Sequence, residues 1–191
     1  LEYAAGELVG TVTTDENGEA YLSDLPLGSY KIMEVTAPEG FVLDEEVQTV
    51  TFTYKDQETP VIEQEAVFQN DRQKVEVSVV KKDAETQATV PGTVFGLYAK
   101  EDILAHGEVL VKADTLISKA LSDENGKAVF MNDLPFGRYY IREEAAPDGY
   151  VSSDKVVEVT AEYQGQGIPV VELSSEYENE PTKISVKKTD L

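Results

Sequence analysis

The stretch "YYIREEAAPDGY" (Tyr139 to Tyr150) decides how the chain is read. With the two-residue period of a β-strand, Tyr139, Ile141 and Glu143 share one face, so a carboxyl group lies on an aromatic, apolar side. The Ala-Pro-Asp-Gly run then ends the strand in a turn. An earlier stretch, "YKIMEVTAPEGF" (Tyr30 to Phe41), has the same pattern, with Tyr30, Ile32 and Glu34 in phase. A carboxylate facing a core costs several kcal/mol unless it is neutral, paired or hydrogen-bonded. The rest of the chain has to supply its partner.

The two copies belong to a longer duplication. "TDENGEAYLSDLPLGSY" (Thr14 to Tyr30) matches "SDENGKAVFMNDLPFGRY" (Ser122 to Tyr139) with one residue inserted, and Tyr30 and Tyr139 lie 109 residues apart. That period is far too long for a solenoid and means tandem domains. A chain of 191 residues holds two modules of about 100 residues, each near the lower size for an independent core. Runs rich in Val, Ile, Thr and Tyr, separated by "ENG", "LPLG", "LPFG", "APEG" and "APDG", predict antiparallel β-structure with almost no helix. Asn17-Gly18 and Asn125-Gly126 read as type I′ hairpin turns. The segment from Ala99 to Asp114 holds the sequence's only patch of potential helix and reads equally as a turn or an exposed loop.

Composition removes several functions. The net charge of -21, from 37 acidic and 16 basic residues, disfavours nucleic acid and anionic membrane, both of which need a basic patch. With no cysteine there is neither a disulfide framework nor a thiolate metal site. The acidic residues around Asp15 do not fit a calcium loop, because the glycine comes too early and no bidentate acid follows, so no metal or cofactor is expected. The single histidine, His106, reads as a solvated loop residue without paired ligands, and no nucleophile elbow or phosphate loop is present. No signal peptide or membrane-spanning run occurs, which is expected of a mature chain or a fragment.

A module is expected over residues 73–180. Its first strand, "VEVSVVKKD", puts Val75, Val77, Val79 and Lys81 on one face, and its last, "VVELSSEYEN", puts Val171, Leu173, Ser175, Tyr177 and Asn179 on one face. In the preceding module, "VIEQEAVFQN" brings Asn70 into phase with Ile62, Ala66 and Phe68. The glutamate and asparagine are 36 residues apart in both modules, 34 to 70 and 143 to 179. Singly, Lys81 reads as a snorkelling side chain, Glu143 as a loop-facing acid and Asn179 as a turn cap. Together they form a reactive set. A desolvated lysine loses its proton and becomes a nucleophile, and a desolvated carboxyl gains one. Glu143 would hydrogen-bond the Asn179 carbonyl and carry the amine proton to the departing ammonia while Lys81 attacks.

The pattern Tyr-x-Ile-x-Glu-x-x-Ala-Pro-x-Gly-[Phe/Tyr], the Lys81-Lys82-Asp83 end of the first strand and the asparagine closing the last strand resemble the collagen-adhesin B-type (Cna-B, or SpaA-like) modules of Gram-positive surface adhesins and pilins. The resemblance covers nearly the whole chain. It implies an all-β fold of tandem prealbumin-like, reverse immunoglobulin-type sandwiches of seven strands, with a lysine-to-asparagine isopeptide bond promoted by the glutamate. By position, Lys81, Glu143 and Asn179 are the set of the second module, and Glu34 and Asn70 are two thirds of a set in the first. "LEYAAGE" (Leu1 to Glu7) aligns with "GLYAKED" (Gly96 to Asp102), so residues 1–72 are expected to be a module without its first strand. "TKISVKKTDL" (Thr182 to Leu191) resembles the start of another, with Ile184, Val186 and Lys188 in phase, so residues 181–191 are expected to be the first strand of a following module in a larger parent.

The implied role is a structural stalk segment of an extracellular, cell-wall-anchored protein, with the anchor signal outside this sequence. Its implied partners are adjacent modules, and head-to-tail donation of the 183–191 strand between chains, sealed by Lys188 and Asn70, is a further expectation. The alternative is an adhesive module that binds a host matrix protein or glycan through exposed loops such as 100–114. An enzyme is not expected, apart from the self-directed bond formation.

Overall fold

The structure, a computed structural model, describes residues 3–59, 61–105, 107–130 and 133–189. His106 lies outside the described residues. The chain forms two compact units, Leu1–Thr36 with Leu43–Asn70, and Ala37–Val42 with Asp71–Leu191. The Ala-Pro-Glu-Gly turn of the first repeat is therefore held in the second unit. There the Val42 amide donates to Asp71 O and the Gln73 amide to Gly40 O, both at 2.8 Å.

In the first unit, β1 (Gly28–Met33) and β2 (Val47–Phe52) pair antiparallel, with Tyr30 opposite Val50. Residues 61–70 keep an alternating pattern, with Ile62, Ala66, Phe68 and Asn70 the more covered positions, yet form no strand. Among the described residues no neighbouring strand supplies them with a ladder. The Gln48 side chain partly replaces one, its amide nitrogen donating to Val67 O and its oxygen accepting from the Val67 amide.

The second unit is a β-sandwich. Its elements are β3 (Lys74–Asp83), β4 (Val94–Ala99), β5 (Ile103–Ala105), β6 (Glu108–Val111), β7 (Leu116–Leu121), β8 (Lys127–Val129), β9 (Gly137–Ala145), β10 (Val156–Ala161) and β11 (Val170–Asn179). One sheet has the order β10-β9-β4-β7 and the other β11-β3-β8, with β5 and β6 forming a separate hairpin. The seven sheet strands match the number that the resemblance implies. The inward residues of both sheets interdigitate, with Val75, Val77 and Val79 of β3 meeting Phe95, Leu97, Tyr139, Ile141, Val171 and Tyr177 in one buried cluster.

Three local expectations change. β3 and β11 run parallel, from Lys74 opposite Val170 to Asp83 opposite Asn179, in an otherwise antiparallel fold. Parallel partners need a long connection, and here the rest of the unit is that connection. The Asn-Gly turns are not type I′, because that type needs positive φ at both central residues and only Gly18 (φ 79) and Gly126 (φ 73) have it. Each is a three-residue loop in which an aspartate carboxylate caps the turn: Asp123 Oδ1 accepts from the Asn125 and Lys127 amides at 2.9 Å. Asp15 does the same for Asn17 and Glu19, so hydrogen bonding accounts for the acid at each turn. Of the helix, turn or exposed loop open for the segment 99–114, the structure shows none over its paired part: β5 and β6 pair antiparallel, anchored by Ile103, which is buried in the core.

The repeated Leu-Pro-x-Gly-x-Tyr motif also finds its reason. Tyr30 donates its hydroxyl to Pro26 O and Tyr139 to Pro135 O, both at 2.6 Å, fixing the turn that leads into each strand. Burial pushes the Tyr139 phenol up to about 12.

Candidate functional site

Lys81, Glu143 and Asn179 come from β3, β9 and β11, and all three are buried, at 0%, 8% and 3% exposure. The parallel register sets Tyr177 opposite Lys81 and Asn179 opposite Asp83, so Lys81 and Asn179 are diagonal neighbours on the inner face of one sheet. Glu143 faces them from the other sheet. Gly126 helps to set the backbone of Lys81. The Lys81 amide donates to Gly126 O at 2.8 Å, and a Cβ at this positive-φ glycine would lie 2.8 Å from Lys81 O.

The Asn179 side-chain nitrogen donates to Glu143 Oε1 at 2.9 Å, to Glu143 Oε2 at 2.8 Å and to Val151 O at 2.8 Å. The Asn179 Oδ1 carbonyl is buried without a hydrogen-bond partner. This reverses the expected amide orientation, in which the carbonyl met Glu143. The reason is Val151 O, an acceptor that only the NH2 side of the amide can satisfy. Glu143 thus touches the nitrogen of Asn179, not its oxygen.

The Lys81 amine donates to Lys82 O at 3.1 Å and lies 5.3 Å from the centre of the Tyr150 ring. Burial lowers the lysine pKa below its ordinary value, against the opposing pull of Glu143, Asp83 and Glu178. The Tyr150 hydroxyl donates to Asp83 Oδ2 at 3.0 Å, and Asp83 Oδ1 accepts from the Glu85 and Thr86 amides at 2.8 Å. The Thr86 amide first, and then the Tyr150 hydroxyl, hold Asp83 below the usual carboxylate value against the effect of burial. Glu144 points the other way, as strand alternation requires. It accepts from Tyr98 and Arg142 and pairs with Lys119, and these contacts, Tyr98 first, lower its pKa to about 2.

In the first unit, Glu34 Oε2 accepts from the Asn70 side chain at 2.6 Å and from the Asp44 amide at 2.8 Å. Lys188 lies in the exposed segment 182–189, which forms no strand. Sequence reasoning missed the contributions of Val151 and Ser153, whose backbone atoms make the contacts and leave no trace in residue type. It placed Tyr177 only as a core residue. Among the described residues no group of His, Asp and Glu is arranged to hold a metal.

The model of the SpaA family, described as a prealbumin-like fold domain, matches residues 1–66 and 75–177. The chain belongs to the SpaA family. Among solved structures, this SpaA-family chain is similar to the Bacillus anthracis TIE protein, with 27% identity and a TM-score of 0.60 over 89% of this chain and 28% of that one. The chain therefore spans less than a third of that protein's length. It is also similar to the shaft pilin SpaA from Lactobacillus rhamnosus GG, with 19% identity and a TM-score of 0.44 over 92% of this chain and 71% of that one. The third likeness is to BcpA, the major pilin subunit of Bacillus cereus, with 23% identity and a TM-score of 0.40 over 58% of this chain and 31% of that one. No curated protein matches the chain.

Proposed function

We propose that the chain is a structural stalk segment of a Gram-positive cell-surface adhesin or pilin-like protein, displayed outside the cell on the wall, and that an isopeptide bond between Lys81 and Asn179 closes its second module. The observation that carries this reading is the Asn179 amide nitrogen held on both oxygens of Glu143, inside a pocket that also buries Lys81 completely. The neutral amine of Lys81 attacks Asn179 Cγ and forms the new C–N bond. Glu143 takes one proton from the attacking nitrogen and delivers it to Nδ2, the Cγ–Nδ2 bond breaks, and ammonia departs. The other amine proton stays on the new amide. A costly buried amine is replaced by a neutral amide, which favours the product.

The bond would close a loop of 98 residues, from 81 to 179. By the chain-entropy relation used for disulfides, a loop of that size adds about 4 to 5 kcal/mol. Intact mass is the direct test: one ammonia fewer than the sequence requires, with a Lys81–Asn179 crosslinked peptide after digestion. A full-mass chain would remove the bond from the proposal.

An adhesive role has weaker support. A depression of about 520 Å³ on the second unit is bordered by Lys100, Asp114, Tyr140, Arg142 and Glu158. Most of its polar groups are already paired, Lys100 with Glu158, Tyr140 with Asp114 and Arg142 with the neighbouring Glu144. Assembly with neighbouring modules belongs to the stalk reading. Head-to-tail strand donation extends it, with Ile184 and Val186 of one chain, 95% and 90% exposed, seating beside the Glu34–Asn70 pair of another and Lys188 bonding to Asn70.

A further inference from the structure

We propose that residues 150–155, the strap following the Ala-Pro-Asp-Gly turn, position the Asn179 amide for bond formation, and that the Tyr177 hydroxyl holds this strap in place. The proposal rests on the reading of Lys81, Glu143 and Asn179 as a bond-forming set. The strap touches both other partners of the reaction through its backbone. Val151 O accepts from Asn179 Nδ2 at 2.8 Å, and the Ser153 amide donates to Glu143 Oε1 at 3.2 Å. An asparagine amide has two orientations about its Cβ–Cγ bond. With Val151 O in place the other orientation would set two acceptors against each other, so the leaving nitrogen is turned toward Glu143. That choice leaves the Asn179 carbonyl buried and unpartnered, a cost that a purely stabilising contact would avoid.

Residues 151–155 belong to no strand; the Val151 amide donates to Glu180 O at 3.2 Å, and the stretch from Ser153 to Lys155 is held by a side chain. The Tyr177 hydroxyl lies 3.0 Å from Ser153 O and 2.7 Å from Lys155 O, donating its single proton between them. Tyr150 fastens the other end through Asp83, two residues after the reactive lysine. Tyr177 is itself fixed, fully buried with its ring edge-on to Phe95 at 5.2 Å. In the first unit the Asp44 amide meets Glu34 just as Ser153 meets Glu143. One period earlier, Phe41 and Phe68 stand in place of Tyr150 and Tyr177, so the two hydroxyl fasteners are particular to the second module.

Tyr177→Phe removes one hydroxyl and keeps the ring. The full chain is made by cell-free synthesis, quenched at intervals and weighed intact, so that loss of ammonia is followed in time. The expected result is bond formation slowed roughly tenfold, the kinetic equivalent of one lost hydrogen bond. The slowing should be equal at every pH, because Lys81 is untouched. Ile141→Val, which removes a buried methyl group and no polar contact, should form the bond as fast as the parent. An unchanged rate in Tyr177→Phe, or equal slowing in Ile141→Val, overturns the proposal. A second measurement is independent of the chemistry. In a Lys81→Arg background, hydrogen exchange at the Ser153 amide should accelerate when Tyr177→Phe is added, and unchanged protection overturns the strap's role. A parent chain that loses no ammonia defeats the bond-forming reading itself, and this inference with it.

Discussion

Replacing Glu143 with Gln separates the chemistry from the fold. Glutamine keeps the size of the side chain and a carbonyl that accepts from Asn179, but it cannot carry a proton from Lys81 to the leaving nitrogen. The mechanical consequence follows from strand order. β3 and β11 lie side by side and parallel, so tension entering at Lys74 and leaving beyond Asn179 shears one strand along the other. With the bond in place the load passes from residues 74–81 directly to residue 179 and bypasses everything between. Without it, the 98 residues from 81 to 179 are released when the module opens. At about 3.3 to 3.6 Å per residue this is roughly 320 to 350 Å of new chain length, less the small folded separation of the two ends. Single-molecule pulling reads that length directly. The parent second module should show no such step and Glu143→Gln should show one, together with a melting temperature lower by roughly 20 °C, from about 4 to 5 kcal/mol of lost loop constraint. A step of full length in a parent chain shown by mass to be crosslinked would refute the load path. A crosslinked Glu143→Gln chain would refute the role of Glu143.

The adjacent lysines should behave differently: Lys81→Arg abolishes the bond because guanidinium stays protonated, whereas Lys82→Arg leaves it, since Lys82 faces outward to Glu176; tryptic mapping reads both. In the unbonded Glu143→Gln chain, burial still lowers the Lys81 pKa, so between the folded value and the ordinary value of about 10.4 the unfolded chain binds more protons and stability rises with pH. Urea midpoints across that alkaline window that fall or stay flat would contradict this. Glu144→Gln should leave the bond intact but cost roughly 1.5 to 3 kcal/mol at neutral pH through its charged hydrogen bonds. Because the Glu144 pKa is depressed to about 2, its contribution is present above the ordinary carboxylate range and fades as pH falls toward 2, which acid unfolding midpoints measure. If strands are donated between chains, denaturing gels should show covalent ladders that vanish in Lys188→Ala and in Glu34→Ala; strictly monomeric bands would exclude a sealed donation.

The period of two is what made the second module readable. Val75, Val77, Val79 and Lys81 face inward because successive strand residues alternate sides, and the same phase turns Glu144 and Lys82 outward. The duplication was equally plain, since a repeat 109 residues long leaves matched punctuation in both copies. Turn type was not legible from Asn-Gly alone. The preceding aspartate, through its bonds to two backbone amides, favoured a wider loop over the tight hairpin. Residues 99–114 were ambiguous because a short apolar run fits a helix, a turn or a strand until Ile103 finds the core.

Strand phase is a local property of the chain, and it alone places a lysine, a glutamate and an asparagine among the side chains that enter the interior of the second module. Tertiary contacts decide that β3 and β11 are parallel neighbours and that the nitrogen of Asn179 rather than its oxygen meets Glu143. The second depends on the Val151 carbonyl and the Ser153 amide, backbone groups brought up to the Asn179 and Glu143 side chains, and every residue type except proline carries the same backbone groups. Their identity is silent in the sequence, and only their position in the folded chain gives them a role.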